Sequence, residues 1–372
     1  MSVNRPTMLL LCALPFLLFL YRSSAACDPT WNVVNLHPDP WWESSAYAVS
    51  GSYQGGSVYD GGMSVLTQPA VWNGTADVVI LGSARIGQVL GMAGADKVGF
   101  YGGRAALWKG PSSEYVELWP DFSIAYAAWN GWQAGSVSAG PAQASLWHGS
   151  ADSRVALHPG GALSSVALAV DASGQAGNVH WAQEGGSHAA LWQSTAESVV
   201  DLHPEGAYAS RAQAISNGRQ GGGVQFDRDG ISHAALWSGT ADSFFDLTPA
   251  GGPTIGGGIL GMDGNVQVGG ARFIDGTGGA TVWFDTPESA FFLGGLLPSN
   301  YTESTATAVD IDEFGTIRVV GYAYNENYYL PNGTYYPRNE AMMWVLVPEP
   351  SSLAALVAGL AGLAGVRPRR RR

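Results

Sequence analysis

The chain has 372 residues and a formal net charge of −12. Seven of its 18 basic residues and one of its 30 acids sit in two terminal segments, which leaves 11 against 29 and a body near −18; a body that acidic repels phosphate backbones and anionic lipid, which excludes a nucleic-acid-binding protein. Charged residues are only 13 %, and 51 glycines stand beside 14 tryptophans, a composition that predicts a tightly turned all-β fold rather than disorder.

Residues 1–26 have the form of a secretory signal peptide. Arg5 supplies the positive start, residues 8–20 the apolar core, and Ser24 and Ala26 the small positions of a cut before Cys27. A cysteine directly after that cut opens a lipoprotein alternative, although Ser24 stands where a lipobox carries a Leu-like residue. Cys12 leaves with the signal peptide, so the mature chain keeps one cysteine and no intramolecular disulfide.

The body, residues 27–347, repeats itself. Trp72, Trp108, Trp147, Trp192, Trp237, Trp283 and Trp344 follow one another at spacings of 36, 39, 45, 45, 46 and 61 residues. About ten residues after each of the first six comes a leucine: Leu81, Leu118, Leu157, Leu202, Leu247 and Leu293. Trp344 has no such partner downstream, and the missing element stands at the other end as Leu36, His37 and Pro38. Seven tryptophans and seven leucines offset by one strand predict a closed ring, a seven-bladed β-propeller in which residues 31–36 pair with the Trp344 strand. The unit at 202–247 divides into four short strands, 209–216, 220–226, 232–237 and 244–247. Tight turns at Asn217-Gly218 and Asp229-Gly230 separate the first three. The strands opening the units (45–50, 124–128, 209–216, 256–262) are small-residued, which suits the narrow inner edge of a blade. The rival architecture is a linear solenoid or sandwich array, with residues 31–36 far from Trp344 and a free strand at each end.

The pattern of Ser187-His188-Ala189-Ala190-Leu191-Trp192 with Val200-Asp201-Leu202 recurs in residues 232–237 with Phe245-Asp246-Leu247. It resembles the HAF family of extracellular repeats, over most of residues 36–344 and weakly in the first two units. That resemblance implies the fold and a surface location, and no catalysis.

The residues themselves point to no catalytic constellation and no cofactor. There is no G-x-S-x-G elbow, H-E-x-x-H, P-loop or dinucleotide fingerprint. His188 and His233 share one repeat position, and His37, His158 and His203 share another. Such recurrence predicts loop-bonding histidines rather than a metal ring. The acidic turns at 227–230, 263–265 and 310–313 miss the EF-hand spacing and read as Asx turns. The last unit is about 15 residues longer than its neighbours and carries Tyr322, Tyr324, Tyr328, Tyr329, Tyr335 and Tyr336, a speculative contact loop for sugars or protein partners.

The C-terminal 25 residues have three parts: the triplet Pro348, Glu349 and Pro350, an uncharged Leu/Ala/Gly run at 351–366, and the arginines Arg367, Arg369, Arg370, Arg371 and Arg372. A helix over the run would span roughly 24 Å, short for a permanent bilayer anchor, and the arginines would stop transfer. This tail resembles the PEP-CTERM sorting signal of Gram-negative bacteria. The resemblance implies recognition of the triplet by an exosortase, transient tethering through 351–366 and delivery to the cell surface or the exopolysaccharide matrix. The expectation is therefore an exported, non-enzymatic propeller that binds exopolysaccharide or other surface proteins. The alternative is a secreted propeller lyase or glycosidase, which an acid or histidine cluster at one channel mouth would favour.

Overall fold

Seven four-stranded antiparallel sheets follow one another along the chain, each in strand order a-b-c-d from its first strand. The computed structural model describes residues 30–347 except 62–65, 84, 139, 183–184, 229, 250, 327 and 329–334. The segments expected as signal peptide (1–26), sorting triplet (348–350), apolar run (351–366) and terminal arginines lie outside the described residues. No helix among the described residues is long and apolar enough to cross a membrane.

Strand a of blades 1 to 7 is Glu43–Ser50, Gly87–Ala93, Ser123–Trp129, Ala162–Asp171, Ala209–Ser216, Thr254–Asp263 and Tyr301–Ile311. Three residues from every one of them line a single axial cavity, which makes strand a innermost and the ring complete. In blade 7, strand d is Trp31–Asn35. It pairs antiparallel with strand c, Arg338–Leu346, setting Trp31 opposite Leu346 and Val33 opposite Trp344. The expected N-terminal closure is therefore present, and the linear array is excluded.

The Trp/Leu repeat turns out to be the contact between blades. Seven apolar clusters fill the seven interfaces, and each holds the leucine after one blade's strand d together with the strand c tryptophan of the next blade. Leu81 lies with Trp108, Leu157 with Trp192, and across the closure Leu36 with Trp72. The tryptophans are 0–1 % exposed, so each interface is a packed core in its own right.

Close packing at the axis depends on a second repeat. Strand a carries a β-bulge at the same place in all seven blades, between Ala46 and Ala48 in blade 1 and between Ala212 and Ala214 in blade 5. A bulge kinks its strand and tightens the twist. The bulged residues Tyr47, Leu90, Tyr126, Leu168, Gln213, Leu260 and Thr307 line the channel. Directly after them come Ala48, Gly91, Ala127, Ala169, Ala214, Gly261 and Ala308, so the expected small residues occupy one layer while larger side chains from the bulges point at the axis. Beside each bulge, strand b has a glycine: Gly56, Gly99, Gly135, Gly177, Gly222, Gly269 or Gly321. A Cβ at any of them would stand 1.8–2.0 Å from a strand a carbonyl oxygen.

Polar side chains finish the joints. In five blades a buried strand b glutamine (Gln54, Gln133, Gln175, Gln220, Gln267) accepts, through Oε1, a backbone N–H of the turn after strand c at 2.8–2.9 Å. Lys97 and Val319 take its place in blades 2 and 7. Between strands c and d of blades 3 to 6 the chain makes one short 3-10 turn, Ala151–Ser153, Ala196–Ser198, Ala241–Ser243 and Pro287–Ser289. Its final serine donates back to the carbonyl that opens the turn, at 2.5–2.6 Å. The turn at Asn217-Gly218 has φ of 52° and 79°, the left-handed pair a two-residue hairpin needs.

Replacing Gly222 by Ala places a Cβ 1.9 Å from the Arg211 carbonyl oxygen, and overpacking of that kind should cost about 3 kcal/mol. Gly239→Ala, at φ +86° with open space around it, should cost about 1–2 kcal/mol. Urea unfolding of the two variants side by side checks the order, and equal midpoints would remove the bulge-glycine contact as a fold determinant.

Candidate functional site

Both recurring histidine positions serve the scaffold. His37, His158 and His203 each place Nδ1 2.8 Å from a serine Oγ, those of Ser44, Ser165 and Ser210. Each of those serines accepts a strand c N–H across the interface, from Ala341, Ala144 and Ala189 respectively. His188 and His233 hold the strand d carboxylates of Asp201 and Asp246 at 2.8 Å. The rings of His188 and His203 stack at 3.7 Å. Among the described residues no group of three or more His, Cys, Asp or Glu is placed to hold a metal ion.

The channel mouth at the a–b hairpins is a cavity of about 970 Å³ with Asp171, Asp263 and Asp310 on its rim. Their position in strand a is that of Ser50 and Ser216, whose hydroxyls accept the N–H of Gly94 and Gly264 in the next blade, both at 3.0 Å. Asp263 does the same with the Ile311 N–H at 2.8 Å, and Asp310 with Gly51 across the closure. Asp171 closes its own turn on Ser173. These acids are thus rim staples. Burial pushes the Asp310 carboxyl above the usual range, and the Asp263 carboxylate adds to this against the Gly51 hydrogen bond. The neighbouring Asp312 is filled: it accepts N–H groups of Phe314 and Thr316 and pairs with Arg318 at 2.9 Å.

At the opposite end, where strands a begin, blades 7, 1 and 2 enclose a cleft of about 340 Å³. Its walls are Glu43, Ser45, Tyr47, Ser57, Tyr59, Thr67, Gln88 and Asn339, with Ser44 and Val58 behind. Sheet register assembles it: Glu43 lies opposite Tyr59, Tyr59 opposite Thr67, and Ser45 opposite Ser57. The bulge turns Tyr47 toward the axis, where its ring meets Tyr322 of blade 7 edge-on at 6.4 Å. Its hydroxyl meets Ser45, Ser57 and Gln88. Half-buried Glu43 makes no hydrogen bond or ion pair among the described residues, and burial pushes its carboxyl above the usual range.

The long last unit reaches this cleft through Asn339, which lines it, and Tyr336. Tyr322 and Tyr324 lie in strand b of blade 7, Ile317–Asn325, as ladder members rather than loop residues. Tyr328 covers the Arg338 guanidinium at 3.5 Å, and its carbonyl accepts the Tyr336 N–H at 2.9 Å. The Tyr336 ring meets Trp42 edge-on at 4.5 Å, and its hydroxyl senses Glu43 and Tyr59. Tyr335 is exposed, and Tyr329 lies outside the described residues.

Beneath the rim a buried ion pair, Arg338 Nε to Glu340 Oε1 at 2.8 Å, fixes the loop's exit. Glu340 also accepts from the Tyr301 hydroxyl at 2.6 Å and from Asn35 and Asn325 at 2.8 and 3.1 Å. Burial alone would raise its carboxyl, but the hydrogen bonds from Tyr301, Arg338, Asn35 and Asn325 outweigh burial and hold it below the usual range. All four strands of blade 7 contribute to this network. The sequence reading missed it, along with the cleft walls; the tyrosine count was the signal that marked the region.

No protein-family model and no curated protein matches the sequence. Among solved structures the chain is similar to a mutant of puromycin hydrolase, at 9 % identity and a TM-score of 0.43, over 79 % of this chain and 57 % of that one. It is also similar to a luciferin-regenerating enzyme, at 10 % identity and 0.33, over 86 % and 96 %. At that distance neither likeness bears on activity.

A raised carboxyl favours the folded state at acid pH and loses that contribution as pH climbs through its folded value. Asp310→Asn keeps an acceptor for the Gly51 N–H and removes the charge. The variant and the parent should melt together near pH 4, and the variant should melt higher once the pH has passed the folded value of Asp310. A melting difference that does not change with pH would show that Asp310 is not charged against its surroundings.

Proposed function

We propose that the mature chain is an exported, non-enzymatic surface or matrix protein that uses the propeller as a binding scaffold. The blade 7–1 cleft is its contact site. One observation carries this reading: the b–c connection of blade 7 brings the Tyr336 hydroxyl to Glu43 and Tyr59, two wall residues of a hydroxyl- and amide-lined cleft. Rigid aromatic rings with polar tips give broad contact at low entropy cost, the requirement for sugar rings and protein loops alike. The signal-like N-terminus and the tail that resembles a PEP-CTERM signal support export and exosortase sorting to the surface or exopolysaccharide matrix.

A second reading, a polysaccharide lyase or glycosidase, draws on the three aspartates that share the hairpin-side mouth and on the raised Asp310 carboxyl. The staple bonds of those acids count against it. Incubating the purified chain with exopolysaccharide and assaying new reducing ends separates the two readings.

Replacing Tyr335 and Tyr336 together by Ser should lower retention on isolated exopolysaccharide severalfold, with circular dichroism unchanged. Retention equal to the parent's with the fold intact would remove the cleft as the contact site. Fractionating cells with and without the exosortase should move the chain from the surface to the membrane fraction.

A further inference from the structure

The cleft has a chemical bias that its aromatic rim does not explain. Among the described residues Glu43 is its only charged wall residue, and no lysine, arginine or histidine lines it. Buried Arg338, next to Asn339 in the chain, is already paired with Glu340 and covered by Tyr328. Around Glu43 stand the phenols of Tyr59 and Tyr336, and Tyr47 lies deeper in the cleft. A carboxylate beside phenol oxygens is a site for an ammonium group: the charge meets the carboxylate, and the N–H groups find acceptors. The rest of the wall, Ser45, Ser57, Thr67, Gln88 and Asn339, offers neutral donors and acceptors on both sides, the complement of vicinal hydroxyls. A volume of about 340 Å³ is at the small end of ligand pockets and suits one or two sugar rings. The acidic body favours approach of a cation.

We infer that the cleft binds an amino sugar with a free, protonated amine, with Glu43 holding the ammonium and the serine, glutamine and asparagine wall holding the ring hydroxyls. This inference rests on the cleft being the contact site.

The test is calorimetric titration of the mature chain with three tetrasaccharides of glucosamine, N-acetylglucosamine and glucose, in about 0.15 M salt so that distant charges are screened. The glucosamine oligomer should bind at least tenfold more tightly than the other two. Glu43→Gln should abolish that preference with the melting temperature kept or raised. Asp152→Asn, an exposed acid in blade 3, should leave the preference in place. Equal affinity for the three oligomers, no binding of the glucosamine oligomer, or a preference that survives Glu43→Gln would each overturn the inference. Equal loss in Asp152→Asn would also overturn it, by tracing the preference to net charge. Matrix retention that still depends on Tyr335 and Tyr336 after any of these outcomes would leave the binding scaffold standing and remove only the amino sugar.

Discussion

Everything in this molecule depends on one strand being borrowed from the far end of the chain. Without Trp31–Asn35, blade 7 would have three strands and the Arg338–Leu346 strand would present an unpaired edge. The loss would spread to blade 1, because Leu36 is the residue against which Trp72 packs. It would reach the buried ion pair too, since Asn35 donates to Glu340. A ring cannot be partly closed. Each blade interface is a two-sided core, and all seven exist only if the last one does.

The closure also builds the cleft. Glu43 and Tyr47 come from blade 1, Gln88 from blade 2 and Asn339 from blade 7. The last two are separated by most of the chain. The Ser44 hydroxyl that accepts the Ala341 N–H and the Thr307 hydroxyl that donates to the Ala46 carbonyl at 2.8 Å fix the walls in place across the seam. The same residues that hold the ring together therefore set the shape of the site, and binding geometry is inherited from the joint rather than from any one blade.

Sequence made the ring legible for a simple reason. A tryptophan that must fill the same interface seven times leaves a period, and a leucine missing at one end and surplus at the other reveals the offset. The histidines were legible for the same reason: recurrence at one blade position is the mark of a scaffold contact, as Ser44, Ser165 and Ser210 now show. The bulge left only glycines in a glycine-rich chain, where Gly56 and Gly222 look like any other. Its effect is a carbonyl turned toward a neighbouring strand, and no side chain records that. The cleft was least legible, because its residues scarcely recur: Gln88 and Asn339 have no counterpart in another blade, and Glu43 shares its position only with Glu303 of blade 7. Periodicity finds what a fold needs seven times and is silent about what it does once.

The antiparallel pairing of Trp31 with Leu346 has a mechanical consequence. Strand c of blade 7 is flanked by a ladder on each side, to Trp31–Asn35 and to Ile317–Asn325. A force that entered the domain at Val347, along the strand, would load both ladders in shear, so that many hydrogen bonds share it at once instead of opening one by one. The rim of the cleft is carried on the other end of that same strand, at Arg338 and Asn339. In a pull between a ligand in the cleft and Val347, the share borne by the Asn339 wall would thus run down this one doubly supported strand, while the share borne by Glu43 would pass into blade 1.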